Sequence, residues 1–256
     1  MMCKICNQES KNIFSAIILG HYNINYFYCD NCGFLFTEKP YWLKEAYNSP
    51  INISDTGIIN RNINFSIISS NIIYYFFDYE KTFLDYAGGY GIFVRLMRDI
   101  GFNFKWQDNF SQNLVARGFE YCQNDRIDLI TIFEAFEHFV DPIEEIEKIL
   151  RISKNILFST TLLPEKIPNP HDWWYYGLNH GQHVSFYSLK TFKYLAKKYN
   201  LNYYSDGKLV HLLTEKKINP ILFKLFISRF KIIFWLFIKI KLKSKIWNDY
   251  SSLSNN

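Results

Sequence analysis

The stretch TFLDYAGGYGIFVRLMRDIGF, residues 82–102, decides the fold class of this 256-residue chain. A short apolar run ends in Asp85, passes through a turn with three glycines, and continues with the spacing of an amphipathic helix that Gly101 closes. A strand, a glycine-rich turn and a helix in this order begin an open α/β sheet, and such sheets bind ligands beyond the carboxyl ends of their strands. We therefore expect a ligand at the turn from Asp85 to Gly91.

Strand-like and helix-like segments continue to alternate after this turn. A helix at 142–152 is well specified, because Asp141 stands at its N-cap and Pro142 at its first position. The pattern predicts a doubly wound, mostly parallel α/β sheet that ends in an antiparallel hairpin with Asp206 and Gly207 at its turn. The predicted strands are 102–108, 127–135 and 155–163, a later helix is 188–201, and the hairpin is 202–216.

Two classes of cofactor compete for the glycine turn. A dinucleotide site needs the pattern GxGxxG, but aligning Ala87 and Gly89 with its first two glycines puts Ile92 in the place of the third. The carboxylate of Asp85 would also repel a pyrophosphate at the helix N-terminus that should bind it. A cofactor with a cationic end fits the turn better, and S-adenosylmethionine carries an ammonium and a sulfonium group but no phosphate.

Residues 85–91 resemble the DxGxGxG motif of class I S-adenosylmethionine-dependent methyltransferases, with Ala87 in the first glycine position. The resemblance covers residues 80–215 and implies a Rossmann-like methyltransferase fold. It also implies that Asp108, at the end of the second strand, holds the ribose hydroxyls, and that the segment 132–142 lines the methionine moiety. The residues implied to bind the cofactor are Asp85, Ala87, Gly88, Gly89, Gly91, Asp108, Phe133 and Glu134.

Four of the five cysteines form two CxxC pairs, Cys3 with Cys6 and Cys29 with Cys32. The segment between the pairs contains two strand-like runs, FSAIIL and INYFY. Two such pairs supply the four thiolates of a tetrahedral zinc site and leave no position open for a catalytic water. We predict a small N-terminal zinc ribbon with a structural Zn²⁺; the alternative is four unligated thiols. The fifth cysteine, Cys122, is expected to be a buried thiol.

The loop at 169–188, NPHDWWYYGLNHGQHVSFYS, holds three of the six histidines. We expect it to cover the cofactor, with its Trp and Tyr rings as a stacking platform and a histidine as general base. Its end is similar to the histidine segment of sugar C-methyltransferases and related surface-glycan methyltransferases. That resemblance implies His183 as the base and His180 as a second catalytic candidate, although Gln182 stands where a glutamate is usual. Two alternatives stay open: a metal held by the H-x-x-H pair, and histidines that only form hydrogen bonds within the loop.

The net charge of +5 conceals an asymmetry along the chain. Nine Lys or Arg and no acidic residue lie between 216 and 248, which leaves 29 − 9 = 20 basic against 24 acidic residues elsewhere. The basic excess therefore belongs to the C-terminal segment, and nucleic-acid binding by the main body is not expected.

The C-terminal segment is apolar as well as basic. Its longest uncharged run, 232–238, is far below the ~20 residues that span a bilayer. A helix lying on an anionic membrane surface and a helix packed on the body with solvated lysines are both compatible with this pattern. The N-terminal residues leave no room for the apolar core of a signal peptide, so we expect a cytoplasmic protein, with the inner face of the membrane as the site of any lipid contact.

These observations predict four segments and one activity. The segments are a zinc-ribbon-like module at 1–38, a helical connector or substrate lid at 39–80, a methyltransferase domain at 81–217 and a basic amphipathic tail at 218–256. The expected activity is S-adenosylmethionine-dependent methyl transfer to a small or lipid-linked sugar or glycan precursor. Two other readings compete with it: a nicotinamide-dependent sugar oxidoreductase, and a scaffold that has lost catalysis.

Overall fold

The computed structural model describes residues 1–48 and 55–254, so residues 49–54 of the predicted connector lie outside it. The strands are β1 (Lys11–Ile18), β2 (Tyr22–Cys29), β3 (Phe34–Thr37), β4 (Thr82–Tyr86), β5 (Asn103–Gln107), β6 (Ile127–Ile132), β7 (Ile156–Ser159), β8 (Ser185–Phe186), β9 (Asn202–Ser205) and β10 (Val210–Thr214). The helices are α1 (Leu43–Ala46), α2 (Ile58–Phe76), α3 (Ile92–Ile100), α4 (Pro142–Ile152), α5 (Leu189–Lys198), α6 (Pro220–Ile227), α7 (Lys231–Lys241) and α8 (Ile246–Ser254).

A mixed sheet of six strands, in the order β5-β4-β6-β7-β10-β9, forms the centre of a Rossmann-like α/β fold. Strand β4 pairs in parallel with β5 and β6, and β6 pairs in parallel with β7. Strand β10 runs antiparallel to both β7 and β9. The chain leaves β5 on one side of β4 and returns as β6 on the other, so a crevice opens at the carboxyl ends of these strands.

The sheet separates two apolar cores because neighbouring residues of a strand point to opposite faces. In β4, Phe83 packs with residues of α2 and α3, whereas Leu84 packs with residues of α4 and α5. Leu129 and Ile130 of β6 divide in the same way. The central strands are thus buried on both faces, which explains their continuous apolar runs.

The chain between β5 and β6 forms neither a helix nor a named strand, and a single bridge joins Trp106 to Glu120. Cys122 lies in this loop and is exposed, so the expectation of a buried thiol is wrong. The physical reason is local: the loop turns over the carboxylate of Asp125, which accepts a hydrogen bond from the Cys122 N–H.

The N-terminal cysteine segment folds as an antiparallel meander of β1, β2 and β3. A fourth strand, β8, comes from the histidine loop and pairs with β3 through Leu35 opposite Phe186 and Phe36 opposite Ser185. The meander and the histidine loop therefore share one sheet.

The C-terminal segment forms α6, α7 and α8, and part of it packs on the body. Asn71 of α2 donates hydrogen bonds to the carbonyl oxygens of Phe226 and Lys231, and Asp249 of α8 forms a buried ion pair with Arg98 at 2.6 Å. Within residues 1–48 and 55–254, no helix is both long and apolar enough to cross a membrane.

Candidate active site

A cleft of about 1590 Å³ lies at the carboxyl ends of β4 and β6. Its walls come from the glycine turn, the segment after β5, the segment after β6, the start of α2 and the histidine loop. Gly91 does not line it, since this residue caps α3 behind the turn. The predicted site residues that do line the cleft are Asp85, Ala87, Gly88, Gly89, Asp108, Phe133, Glu134, His180 and His183.

The glycine turn needs unusual backbone angles and close contacts. Ala87, Gly89 and Gly91 all have positive φ, at 60°, 54° and 84°. A Cβ added at Gly88 would lie 2.8 Å from the Trp106 ring and 2.9 Å from a carboxylate oxygen of Asp85, so glycine is required there. Trp106 Nε1 also donates to the Gly89 carbonyl oxygen at 2.9 Å, which fixes the turn against β5.

Asp85 is a buried carboxylate at the floor of the cleft. Its Oδ1 accepts a hydrogen bond from the Thr131 hydroxyl at 2.7 Å. Among the described residues, no cationic side chain lowers the pKa of Asp85. Burial raises the pKa of Asp85 to about 8, the Thr131 hydrogen bond opposes this rise, and the charge of Asp108 adds to it. A cation in the cleft would compensate this carboxylate.

Asp108 follows β5, as predicted, and braces the glycine turn. Its Oδ2 accepts from the Gly89 N–H at 2.9 Å, and its Oδ1 accepts from the N–H groups of Phe110 and Ser111, both at 2.7 Å. These backbone donors hold the carboxylate at the edge of the cleft, beside the turn.

Phe133 and Glu134 follow β6 and form the next part of the wall. The Phe133 ring stacks on Phe65 of α2 with centroids 4.2 Å apart, and Phe93 of α3 meets it edge-on. Glu134 has a φ of 54°, and its Oε1 accepts a hydrogen bond from the Ser159 hydroxyl at 2.5 Å. Burial, followed by the charge of Glu137, raises the pKa of Glu134 to about 7.

His183 is held in one tautomer. Its Nδ1 lies 2.6 Å from the Tyr175 carbonyl oxygen, which can only accept, so Nδ1 carries the proton and Nε2 keeps a free lone pair. His180 has the opposite arrangement, because its Nδ1 accepts from the Gln182 N–H at 3.2 Å. Burial lowers the pKa of both imidazoles, that of His183 well below its usual value, so both are neutral at pH 7.

The structure adds Glu137 and His138, on the turn after β6, to the predicted histidines. The ring centroids of His138 and His183 are 5.0 Å apart, and Glu137, His138 and His183 each bring a ligand-type atom within 4.8 Å of the others. Glu137 is buried, its Oε2 has no hydrogen-bond partner among the described residues, and burial raises its pKa to about 7. These atoms can serve a proton transfer or a divalent metal, but the Nε2 lone pair of His183 can serve only one of them.

Glu137 and His138 belong to the segment 132–142, which the sequence predicted to line the cofactor but did not connect with His183. One backbone and one side-chain hydrogen bond join the segments. The Val184 N–H donates to the Glu137 carbonyl oxygen at 2.9 Å, and the Ser185 hydroxyl donates to the Phe139 carbonyl oxygen at 2.6 Å. The only signal in the sequence was the recurrence of His beside acidic or amide residues.

The predicted aromatic platform is smaller than expected. The side chains of Trp173, Trp174 and Tyr175 line the cleft. Tyr176 does not, because its ring packs against Tyr26 and Phe14 of the N-terminal meander. Trp174 is the exposed ring, with 78% of its surface accessible.

The four paired cysteines come together at one end of the meander. The Sγ atoms of Cys3 and Cys32 are 3.5 Å apart, those of Cys6 and Cys29 are 3.4 Å apart, and all four lie within 4.8 Å of one another. A tetrahedral Zn²⁺ site with Zn–S bonds of about 2.3 Å requires sulfur atoms about 3.8 Å apart. The four thiols therefore fit this ion.

Comparison with known proteins agrees with this geometry. A family model described as a methyltransferase domain matches residues 61–206, and no curated protein matches the chain. Among solved structures, OxaC in complex with sinefungin and meleagrin is similar at 20% identity and a TM-score of 0.40, over 53% of this chain and 43% of that one. The mitomycin 7-O-methyltransferase MmcR is similar at 16% identity and a TM-score of 0.43, over 68% of this chain and 60% of that one. The plantazolicin methyltransferase BpumL in complex with SAH is similar at 13% identity and a TM-score of 0.46, over 70% of this chain and 95% of that one.

The chain thus spans less than two thirds of the first two of these structures. The family model is the stronger finding, because it begins within α2, includes the glycine turn and ends directly after β9, and so covers more than half of the chain. It confirms the predicted methyltransferase fold. This protein belongs to the methyltransferase domain family.

Proposed function

We propose that this protein transfers a methyl group from S-adenosylmethionine to a sugar or glycan precursor. The observation that carries the proposal is a single cleft with two unlike walls. One wall presents the glycine turn and the buried carboxylate of Asp85; the other presents the free Nε2 lone pair of His183. A cationic cofactor and an acceptor with a removable proton are complementary to these two walls.

The residues of the first wall fit the cofactor. A Cβ at Gly89 would meet open space, so its absence lets a ligand approach the backbone closely, and the Phe133 ring offers an apolar surface in the same cleft. The Asp85 carboxylate would compensate the cationic end. Bound S-adenosylmethionine supplies an activated methyl group on sulfur, which leaves positioning and desolvation of the acceptor to the protein.

The residues of the second wall would handle the proton. His183 Nε2 accepts it from an acceptor hydroxyl or activated carbon, while the Tyr175 carbonyl oxygen holds the ring in place at 2.6 Å. The resulting imidazolium is stabilised by Glu137, whose carboxylate lies within 4.8 Å of a His183 nitrogen. His180, with its ring centroid 4.8 Å from that of His183, would assist by contacting the acceptor.

Aromatic and acidic side chains near His183 support a sugar as the acceptor. Trp174 exposes a flat aromatic surface on which the apolar face of a sugar can stack, and Glu134 and Glu137 offer hydrogen-bond acceptors for hydroxyls. The histidine segment also resembles that of sugar C-methyltransferases.

The rival functions fit less well. A nicotinamide dinucleotide would bring its pyrophosphate to the glycine turn, where the carboxyl group of Asp85 is unfavourable for an anion and becomes more so when it ionises. A scaffold without cofactor is supported by Ala87, yet this alanine adopts the left-handed conformation that the turn needs.

We propose that residues 1–38 form a structural zinc module, followed along the chain by the helical connector or substrate lid at 39–80, the methyltransferase domain at 81–217 and the basic tail at 218–256. The four sulfur atoms fit Zn²⁺, and the ion would hold the two knuckles together beneath the histidine loop.

Calorimetric titration of the purified protein with S-adenosylhomocysteine, beside an identical titration with NADH, tests the cofactor. We expect saturable binding of the first compound and none of the second. Gly89→Ala adds a Cβ where no protein atom lies within 4 Å. Loss of that binding in Gly89→Ala, with the circular dichroism spectrum of the folded protein retained, would locate it at the turn. Binding of NADH alone would replace the proposal with the oxidoreductase.

A further inference from the structure

Helix α7 has two apolar stripes on opposite sides, and the body covers only one of them. Phe234, Trp235 and Ile238 pack against the core that contains α2. The positions that follow helical spacing on the other side are Ile233, Leu236, Phe237 and Ile240, which expose 66%, 50%, 46% and 83% of their surface. We call these four residues the outer stripe.

The outer stripe is too apolar for a surface that faces only water. Single apolar residues scattered over a protein surface are common and need no explanation. The four large side chains of the outer stripe are neighbours on one helix face, and a continuous patch of this kind marks an interaction site. Helix α7 is held in place by α2, since Asn71 bonds the carbonyl oxygens of Phe226 and Lys231, so the stripe cannot turn inward without breaking these contacts. Something outside the described chain must cover it.

The charges around the outer stripe select the occupant. All nine ionised side chains between 216 and 248 are basic, and Lys239 and Lys241 stand on α7 itself. Lys241 lies 5.5 Å from the centre of the Phe237 ring, so the cation and the apolar surface adjoin. A second copy of this face would bring positive charge against positive charge, whereas an anionic surface would be attracted.

We propose that the outer stripe and its lysines bind the surface of an anionic lipid membrane. An apolar stripe buried at the headgroup boundary, lysines directed to lipid phosphates and an aromatic residue beside them are the features of an interfacial helix. Phe237, which is 46% exposed and lies next to Lys241, supplies that aromatic residue. The inference is independent of the proposed methyl transfer.

Co-sedimentation of the full chain with vesicles tests this proposal. We expect binding to vesicles of phosphatidylcholine with phosphatidylglycerol, binding at least tenfold weaker to phosphatidylcholine alone, and release by high salt. Ile233→Glu with Ile240→Glu should weaken binding at least tenfold. Ile17→Glu is the matched control: Ile17 is 57% exposed on β1, far from α7 in sequence, and its replacement should leave binding unchanged.

A charge-reversed variant and a measurement of mass separate the other occupants. Lys239→Glu with Lys241→Glu should lose the preference for anionic vesicles while its melting temperature stays within error of the original. Three results would overturn the proposal: no binding to anionic vesicles, equal and salt-independent binding to both kinds, or a stable dimer in light scattering that Ile233→Glu dissociates.

Discussion

Ala87 has a backbone conformation that favours glycine, with a φ of 60°. For a residue with a Cβ this conformation costs about 1–2 kcal/mol, part of which glycine offsets through its larger entropy in the unfolded chain. Ala87→Gly should therefore raise the free energy of unfolding by about 0.5–1 kcal/mol. Urea denaturation measures this change, and a decrease in stability would show that the methyl group contributes packing that outweighs the strain.

Asp85 should make cofactor binding depend on pH. The pKa of Asp85 in the free protein is about 8, and a bound cation favours its ionised form. Binding then releases a proton below pH 8, and affinity for S-adenosylhomocysteine should rise between pH 6 and pH 8, by at most about tenfold per pH unit.

Glu134 and Glu137 also titrate in this cleft, so a variant is needed to isolate the contribution of Asp85. In Asp85→Asn the affinity should fall, and proton release, measured by calorimetry in buffers of different ionisation enthalpy, should decrease. Unchanged proton release in Asp85→Asn would assign the titration to the glutamates.

His183 should affect the chemical step more than cofactor binding. Removing a general base typically costs about 10²–10⁴-fold in rate, so His183→Ala should slow single-turnover methyl transfer by this order. His180→Ala should have a smaller effect, because its Nδ1 is occupied by the Gln182 N–H. Full single-turnover activity in His183→Ala, once an acceptor is known, would remove the base assignment.

At the scale of elements, the two CxxC pairs of the N-terminal meander should bind one zinc ion per chain. We expect elemental analysis to find one equivalent of zinc in the purified protein and none in Cys29→Ser with Cys32→Ser, which should also melt at a lower temperature. A second equivalent that survives in this variant but disappears in His138→Ala would show that Glu137, His138 and His183 form a metal site. His183 would then be a ligand and not a base.

The sequence predicted most accurately the helices whose first residues are typical of a helix N-terminus. Helix α4 spans Pro142–Ile152 as predicted, although Asp141 at its N-cap makes no side-chain capping hydrogen bond. Helix α5 begins after Ser188, whose hydroxyl accepts from the Thr191 N–H. Helix α2 was harder to predict: it is one helix of 19 residues whose many β-branched isoleucines are stabilised by burial against α3 and α7.

At the scale of the whole molecule, the sequence predicted the wall of the cleft that the glycine turn forms, but it did not predict how the wall around His183 is assembled. Asp85, Ala87, Gly88 and Gly89 are consecutive or nearly so, and a local turn brings them together. The contact of Glu137 with His183 depends on pairing between segments more than forty residues apart, which no local pattern encodes. The docking of α7 on α2 is equally non-local, and for this reason the sequence left the packed and the membrane-facing helix as alternatives.

Strand β8 begins two residues after His183 and takes its hydrogen-bonding partner from β3. A boundary placed at residue 38 therefore cuts through a sheet, and a truncated protein that starts at residue 39 would lose β3, the strand that pairs with β8. Such a fragment should still bind S-adenosylhomocysteine yet fail to methylate, even with every proposed catalytic residue present. The N-terminal meander thus supports the segment that carries His183, and under the proposed function its exchange between relatives should change the acceptor preference.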